Sequence, residues 1–271
     1  MADPKIAPGS APSARVEALS YFFPAHDEAE NIEALVQEAL VDLVSIAERF
    51  EIIAVDDGST DGTAEIADRL AAQDPGVVRV VHHPHNQGYG AAVRSGLAAA
   101  RYPLVCFTDG DRQFRIADLA RLTARLDETD QDGRTPDVVA GYRIKRADPT
   151  IRLAYARTYR AMLRLFFGLG VRDPDCACKL FRREALEGVA VKSGGAFLSA
   201  ELLIKVDARG RIIVEQGVPH YPRTAGRASG ADPRVVLRAV RDFWSLRLRL
   251  WADKDKALAR GEPILGEAGE G

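Results

Sequence analysis

The first half of the chain alternates short β-rich runs with longer segments of helical periodicity. Strands are predicted over residues 19–23, 51–55, 77–81, 104–108 and 138–141. The intervening segments carry apolar residues at three- and four-residue spacing, which predicts helices over 31–50, 63–72, 90–101 and 116–126. Strands separated by helices of this length form parallel βαβ units. The fold class is therefore α/β, with a mostly parallel mixed sheet flanked by helices.

The second half is less regular, and the two ends differ in composition from the rest. A basic helix is predicted over 151–168, a strand over 179–181, a helix over 199–208 and a strand over 211–216. Asp232 as N-cap and Pro233 as N1 open a final helix that runs to about residue 251. We therefore expect a disordered arm over 1–16, one domain over 17–232, a C-terminal basic amphipathic helix over 233–256 and a disordered tail over 257–271.

Composition narrows the class of protein. The formal net charge of −2 over 271 residues gives no global basic field, so no nucleic-acid partner is expected. Three cysteines are too few for a disulfide framework and suit a reducing compartment. The N-terminus lacks the apolar core of a signal peptide, and no uncharged apolar run approaches the ~20 residues of a membrane span. We expect a cytoplasmic protein, and the sequence leaves its oligomeric state open.

Carboxylates follow three of the predicted strands. Asp27-Glu28 follows the first strand, Asp56-Asp57 ends the second, and Asp109-Gly110-Asp111 ends the fourth. Open α/β sheets bind ligands at the carboxyl ends of their strands, so these acids gather at one edge. Such clustering is costly unless a cation is bound, and all-oxygen ligation from Asp109, Asp111 and Gln113 favours Mg²⁺ or Mn²⁺ over zinc.

One simpler interpretation competes with a binding site. Asp-Gly-Asp and Asp-Asp-Gly are also favoured in ordinary turns, and either motif alone leaves the choice even. Two such strand ends with a third acidic loop make turns alone a poor explanation. A second metal site at His82, His83 and His85 is disfavoured, because Pro84 breaks their spacing.

The order of these motifs resembles the inverting family 2 glycosyltransferases of the GT-A fold. The resemblance is carried by Pro24…Asp27-Glu28…Asn31, by the run from Val55 to Thr63, by Asn86…Gly88…Gly90-Ala91 and by Asp109-Gly110-Asp111. Three later pieces resemble the branch containing dolichyl- and polyprenyl-phosphate mannosyl- and glucosyltransferases: Gly141-Tyr142-Arg143, the run from Asp175 to Arg183, and His220-Tyr221-Pro222-Arg223. The resemblance covers roughly residues 19–235.

The resemblance implies roles for individual residues. The nucleotide-sugar would be held by Pro24, Asp27, Glu28, Asp56, Asp57, Gly88, Asp109, Gly110, Asp111 and Arg223. The metal and diphosphate would lie at Asp109, Asp111 and Gln113. Arg143 and Arg157 would bind an acceptor phosphate. The catalytic residues would be Asp111 and Arg143, with Glu201 as general base if the acceptor is a hydroxyl and Asp175 as a second candidate base.

The leading hypothesis is a metal-dependent inverting glycosyltransferase that moves mannose or glucose from a GDP- or UDP-sugar to polyprenyl phosphate. The enzyme alternative transfers the sugar to a hydroxyl of a soluble or glycan acceptor. A non-catalytic nucleotide-sugar binding protein is the alternative from another class. A nucleotidyltransferase is disfavoured, because the loop after the first strand is neither glycine-rich nor basic.

The final predicted helix is both basic and apolar. Arg234, Arg238, Arg241 and Arg249 recur at three- and four-residue steps, among apolar residues that include Trp244 and Trp251. Such a helix can lie on an anionic membrane surface, which would place the protein at the inner face of the membrane. It can also pack its apolar face on the domain and leave the arginines in water. Both interpretations stay open on sequence alone.

Overall fold

The computed structural model describes residues 15–144, 150–195, 197–223 and 233–260. For residues 150–155, 233–236 and 253–260 it describes the backbone only. Most of the predicted N-terminal arm, residues 261–271 of the predicted tail and the predicted N-cap Asp232 lie outside the described residues.

The described residues form a sheet of seven strands in the order β3-β2-β1-β4-β6-β5-β7. The strands are β1 (Val16–Ala25), β2 (Ala47–Asp56), β3 (Val78–His82), β4 (Leu104–Phe107), β5 (Val138–Ile144), β6 (Lys179–Arg182) and β7 (Ile213–Pro219). β6 runs antiparallel to β4 and β5, and the other neighbouring pairs are parallel. Six strands therefore point the same way and end at one edge, which confirms the mostly parallel mixed sheet.

Seven helices accompany the sheet in the described residues. They are α1 (Ala29–Ile46), α2 (Thr63–Gln73), α3 (Tyr89–Ala99), α4 (Leu119–Thr123), α5 (Thr150–Phe167), α6 (Leu198–Asp207) and α7 (Pro233–Arg260). α7 continues to Arg260, nine residues beyond its predicted end. The segment predicted as one helix over 116–126 is a 3-10 turn over Ile116–Asp118 followed by the short α4.

One predicted boundary is wrong for a tertiary reason. The helix predicted over 31–50 ends at Ile46, and the next residues belong to β2. There the backbone pairs in register with β1, Val16 against Ala47 and Phe50 against Leu19. The helical spacing of the apolar residues continues past Ile46, but the ladder with β1 decides the conformation.

The centre of the sheet explains the long apolar run of β1. Leu19, Tyr21, Phe22 and Phe23 are fully buried, as expected for a strand covered on both faces. Phe107 of β4 lies between Phe22 and Phe181, with ring centroids 5.1 and 6.2 Å away. This core fixes the strands whose ends carry the acidic loops. Within the described residues, no helix combines the length and the apolar composition needed to cross a bilayer.

Candidate active site

The loops after β1 and β2 are joined by side-chain hydrogen bonds to backbone. The Asp27 carboxylate accepts from the Thr60 amide at 2.8 Å, and the Asp61 carboxylate accepts from the Ala29 amide at 3.0 Å. Asp27 has φ 53°, a left-handed conformation that is uncommon outside glycine. The predicted nucleoside-binding loop is thus held in one shape by its neighbour.

Two consecutive histidines at the end of β3 hold the two consecutive aspartates at the end of β2. His82 Nδ1 lies 3.0 Å from Asp56 Oδ2, and His83 Nδ1 lies 2.6 Å from Asp57 Oδ1. The outer ring nitrogens reach Asp68 and Ser95 at 2.9 and 2.8 Å. The histidines orient carboxylates, a role that the sequence prediction missed. The signal for it was the pair of histidines ending the next parallel strand.

The Asp56 carboxylate remains ionised in this setting. Burial acts to raise the pKa of Asp56, but hydrogen bonds from Ser59 and His82 outweigh burial, and the pKa lies below its usual value. Hydrogen bonding to Asp56 in turn raises the pKa of His82. Asp56 therefore offers a fixed negative group at the sheet edge.

Asp57 shapes the loop that precedes α3. Its carboxylate accepts from the amides of Gln87 at 2.9 Å and Gly88 at 2.8 Å, in addition to the His83 contact. These bonds hold Gly88 at φ 93°. The prediction that Asp57 contacts the nucleotide remains untested, whereas its contacts here fix the backbone at Gln87 and Gly88.

Asp111 is buried and directly paired with an arginine 112 residues away. Arg223 donates to Asp111 Oδ2 at 2.6 Å, and the Gln113 amide N–H donates to Oδ1 at 3.1 Å. Gln113 and Tyr221 also pair, with the Gln113 side-chain amide donating to the Tyr221 carbonyl at 3.2 Å. The segment after β7 is thereby drawn onto the turn after β4, as the predicted grouping of Asp111 with Arg223 requires.

Gly110 allows the turn after β4 to approach β1. A Cβ at this position would lie 2.7 Å from the Pro24 carbonyl oxygen, closer than real contacts allow. Glu28 also lies near this turn. Burial raises the pKa of Glu28, with a further contribution from the Asp111 charge. Pro24, Glu28 and Arg223 thus surround the Asp109–Asp111 turn.

Asp109 has a buried carboxylate oxygen that accepts no hydrogen bond from the described part of the chain. Among the described residues, its buried Oδ1 has no hydrogen-bond partner, although the Tyr89 hydroxyl donates to the carboxylate. Burial, followed by the Asp111 charge, raises the pKa of Asp109 to about 6. Lys179 is fully buried beneath it on β6, and burial lowers the pKa of the lysine. Buried polar atoms normally have a partner, so Oδ1 is the atom of this site best suited to ligate a cation.

The residues fit a divalent cation shared with phosphate. Among the described residues, no group of three or more His, Cys, Asp or Glu side chains is placed to hold a metal ion. Asp109 and Asp111 instead offer two carboxylates on one turn, one with an orphaned oxygen. Mg²⁺ is commonly held by one or two carboxylates together with substrate phosphates. The ligand role of Gln113 remains a prediction.

Glu201 lies in a buried cluster behind this site. It is fully buried, accepts from the amides of Lys192 and Ser193, and pairs with Lys205 at 2.7 Å. Burial opposes ionisation, but the Lys205 and Ser193 hydrogen bonds lower the pKa of Glu201 overall. These contacts do not give Glu201 access to an acceptor. They fix the loop whose Gly194 carbonyl accepts from the Gly90 amide at 3.1 Å.

A second charged region lies at the end of β5. Arg143 donates to Asp173 through Nε at 2.7 Å and Nη2 at 2.8 Å. Burial opposes protonation, but the Asp173 pair raises the pKa of Arg143 overall. The cleft here measures about 260 Å³ and is lined by Tyr142, Arg143, Ala156, Arg157, Arg160, Arg172 and Asp173. We call it the cationic cleft. It unites the predicted pair Arg143 and Arg157 and adds two arginines that were not predicted.

Comparisons with known proteins agree with this geometry. The family model described as Glycosyl transferase family 2 matches residues 20–189. Glycosyltransferase AglD of Haloferax volcanii is 33% identical over 90% of this chain, which spans 38% of that relative. Polyprenol monophosphomannose synthase of Mycolicibacterium smegmatis is 29% identical, with 88% of this chain and 89% of the relative covered.

Solved structures show the same fold. Glucosyl-3-phosphoglycerate synthase from Mycobacterium tuberculosis, in complex with Mn²⁺, UDP and glucosyl-3-phosphoglycerate, matches with a TM-score of 0.62 at 23% identity over 84% of this chain and 79% of that chain. Mannosyl-3-phosphoglycerate synthase from Rubrobacter xylanophilus gives 0.66 at 20% identity over 88% and 75%. The fold is GT-A. With the family model covering more than half of its length, this chain belongs to glycosyl transferase family 2.

Proposed function

We propose that the chain transfers mannose or glucose from a GDP- or UDP-sugar to polyprenyl phosphate, with inversion, at the cytoplasmic face of a membrane. The observation that carries this proposal is the position of the cationic cleft. It lies after β5, on the same sheet edge as the Asp109–Asp111 turn after β4. An anionic acceptor and a diphosphate donor would thus meet at one edge.

The donor side supplies groups for the leaving diphosphate. Asp27 and Asp56 would hold the nucleoside, and Arg223 would pair with phosphate oxygens through its rigid fork. Asp109 and Asp111 would hold Mg²⁺ or Mn²⁺, and the ion when bound would offset charge on the leaving diphosphate. Arg223 pairs with Asp111, so the two groups proposed to face the diphosphate lie side by side.

The acceptor side supplies positive charge. A lipid phosphate is already anionic near pH 7, so it needs cationic positioning more than deprotonation. Arg143, Arg157, Arg160 and Arg172 line the cleft against one carboxylate, Asp173. Two relatives support this choice by their names: the polyprenol monophosphomannose synthase, and a dodecaprenyl-phosphate galacturonate synthase of Rhizobium johnstonii that is 28% identical over 84% of this chain.

Two measurements test the proposal in sequence. The first is a thermal-shift panel of GDP- and UDP-sugars with Mg²⁺ or Mn²⁺. Binding of the correct donor should raise the unfolding midpoint of the protein. Transfer of labelled hexose from that donor is then compared between polyprenyl phosphate and the matching polyprenol. We expect product with the phosphate and none with the alcohol. Absence of any donor shift would refute the donor site, and transfer to the alcohol alone would refute the acceptor.

Transfer to a hydroxyl is the alternative, and it requires a general base. The buried contacts of Glu201 favour a positioning role, so Glu201→Gln should lower transfer modestly and lower the unfolding midpoint as well. Near-complete loss of transfer in a variant that folds normally and binds donor would favour the hydroxyl alternative. Donor binding with neither transfer nor donor hydrolysis would favour a non-catalytic binding protein.

A further inference from the structure

α7 carries apolar side chains on two faces. One face packs on the domain: Phe243 and Leu246 are buried, and Phe243 contacts the rings of Phe166, Phe167 and Phe197. The other face is exposed and carries Leu237, Val240, Trp244, Leu248 and Trp251. We call these five residues the exposed stripe. Their three- and four-residue spacing places them in one line along the helix.

The exposed stripe is a continuous surface and not a set of scattered side chains. Leu237 is 71% exposed and Trp251 is 60% exposed, at opposite ends of about four helical turns. The stripe extends onto α5, where Phe166 contacts the Trp244 ring at 5.3 Å and the neighbouring Leu165 is 79% exposed. Contiguous exposed apolar surface of this kind marks an interaction site.

The charge around the exposed stripe is strongly positive. α5 contains four arginines and no acidic residue, and residues 233–252 contain five arginines and one aspartate. The chain as a whole carries a formal charge of −2, so this face is a local exception. Arg238 and Arg241 are exposed beside the stripe. A partner for this face must therefore accept both apolar side chains and arginines.

α5 links the exposed stripe to the cationic cleft. Arg157 and Arg160 line the cleft, and Leu165 lies eight residues after Arg157, about 12 Å along the helix axis. One helix therefore carries phosphate-binding side chains at one level and an exposed apolar side chain about two turns away. The separation is short enough for a headgroup and the start of its hydrocarbon chain.

We propose that the exposed stripe, together with Leu165, docks on the surface of an anionic lipid bilayer. Indole rings favour the membrane interface, and arginines beside them are attracted to anionic headgroups. A second copy of the chain fits this face less well, because two-fold pairing of the stripe would bring Arg241 of each copy close to like charge. The proposal rests on the proposed function, in which the acceptor is a membrane lipid.

The chain contains a built-in reporter for this docking. Its two tryptophans are Trp244 and Trp251, and both belong to the exposed stripe. The full chain is titrated with phosphatidylcholine vesicles, with or without about one third phosphatidylglycerol, in the absence of donor and acceptor. We expect a blue shift of tryptophan emission and co-sedimentation with the anionic vesicles, both weakened by salt.

Matched variants locate the contact and keep both tryptophans. The double variant Leu237→Ser/Leu248→Ser should weaken vesicle binding by about tenfold or more. The control Val41→Ser/Val44→Ser changes two exposed valines on α1, 73% and 53% exposed, and should leave binding unchanged. Equal weakening in both double variants would overturn the assignment to the exposed stripe.

Two further results would overturn docking itself. One is the absence of both a spectral shift and co-sedimentation with anionic vesicles. The other is a blue shift that depends on protein concentration without lipid and coincides with dimers in sedimentation, which would assign the face to a second copy. A water-soluble short-chain isoprenyl phosphate separates this proposal from the proposed function. Leu237→Ser/Leu248→Ser should transfer sugar to it normally, whereas failure of the unmodified chain to do so would count against the function alone.

Discussion

The acidic loops after β1, β2 and β4 and the cationic cleft after β5 lie on the same sheet edge but are organised differently. In the loops, carboxylates accept bonds from the chain itself: Asp27 from Thr60, and Asp57 from Gln87 and Gly88. In the cleft, four arginines line the wall with one aspartate: Asp173 pairs with Arg143, Arg172 lies 3.8 Å from Glu215, and Arg157 is exposed. The first region is built from fixed hydrogen bonds, and the second from an excess of charge.

This difference predicts how each region responds to mutation. A carboxylate with one orphaned oxygen in a fixed turn has no neighbour that can replace it, so its loss should be severe. An arginine among other arginines can be partly replaced by its neighbours, so its loss should be graded.

Asp109→Asn should have the largest effect. It removes one of the two carboxylates proposed to hold the cation, and transfer should fall about 100-fold or more. The measurement is initial-rate transfer with the donor found in the thermal-shift panel, together with the metal-dependent donor shift. Asp132→Asn, on an exposed carboxylate, is the control and should be neutral. If the transfer rate falls only about twofold and the donor-induced thermal shift is normal, Asp109 does not belong to the donor site.

Arg143→Ala should have the next largest effect, confined to the acceptor. We expect kcat/KM for polyprenyl phosphate to fall about 10- to 100-fold, because one charge-assisted contact is lost while neighbouring arginines remain. The double variant Arg143→Ala/Asp173→Asn keeps the buried charge balanced and isolates the acceptor effect from folding. Arg49→Ala, in an exposed ion pair with Glu17, is the control. Loss of the donor-induced thermal shift in the double variant would show that the cationic cleft also contributes to donor binding.

The sequence predicted the parts of the site that depend on local pattern. Acidic residues at the ends of apolar strands place Asp56 and Asp109 at one edge once the strands are known to be parallel. The conformation of Asp27 and the orphaned oxygen of Asp109 could not be predicted, because they depend on the packing of neighbouring loops. Residues 47–50, the start of β2, were predicted as helix because their apolar spacing continues that of α1, whereas pairing with β1 makes them part of the strand.

Most long-range pairs were not predicted, for a similar reason; the grouping of Asp111 with Arg223 came from the family resemblance. His82 reaches Asp56 because the two residues are in register across β2 and β3, which no local spacing reveals. The bidentate pair of Arg143 with Asp173 and the burial of Glu201 depend on how the second half folds back. In that half, motif resemblance identified residues but not their contacts. Arg160 and Arg172 were not predicted to line the cleft with Arg143 and Arg157.

Gly110→Ala tests whether the acidic region depends on close backbone approach. The added Cβ would lie 2.7 Å from the Pro24 carbonyl oxygen, so the turn after β4 must shift. We expect a loss of about 1–3 kcal/mol in the free energy of unfolding and a smaller donor shift. Gly170→Ala is the control, because a Cβ there meets nothing within 4 Å. Equal unfolding midpoints for the two variants would show that the turn is more tolerant than its geometry indicates.

His82→Gln should have the smallest effect, and its sign depends on pH. Hydrogen bonding to Asp56 raises the pKa of His82, so the protonated histidine stabilises the fold fully below its unfolded pKa of about 6.5 and loses that contribution as pH rises through the folded value. The unfolding midpoint of His82→Gln should therefore fall below that of the unmodified chain near pH 6, on the order of 2 °C, and less near pH 8.5. His85→Gln, on an exposed histidine, is the control. A deficit that grows with pH would mean that Asp56 is held by the neutral ring, and the acidic region would then depend on hydrogen-bond geometry without the histidine charge.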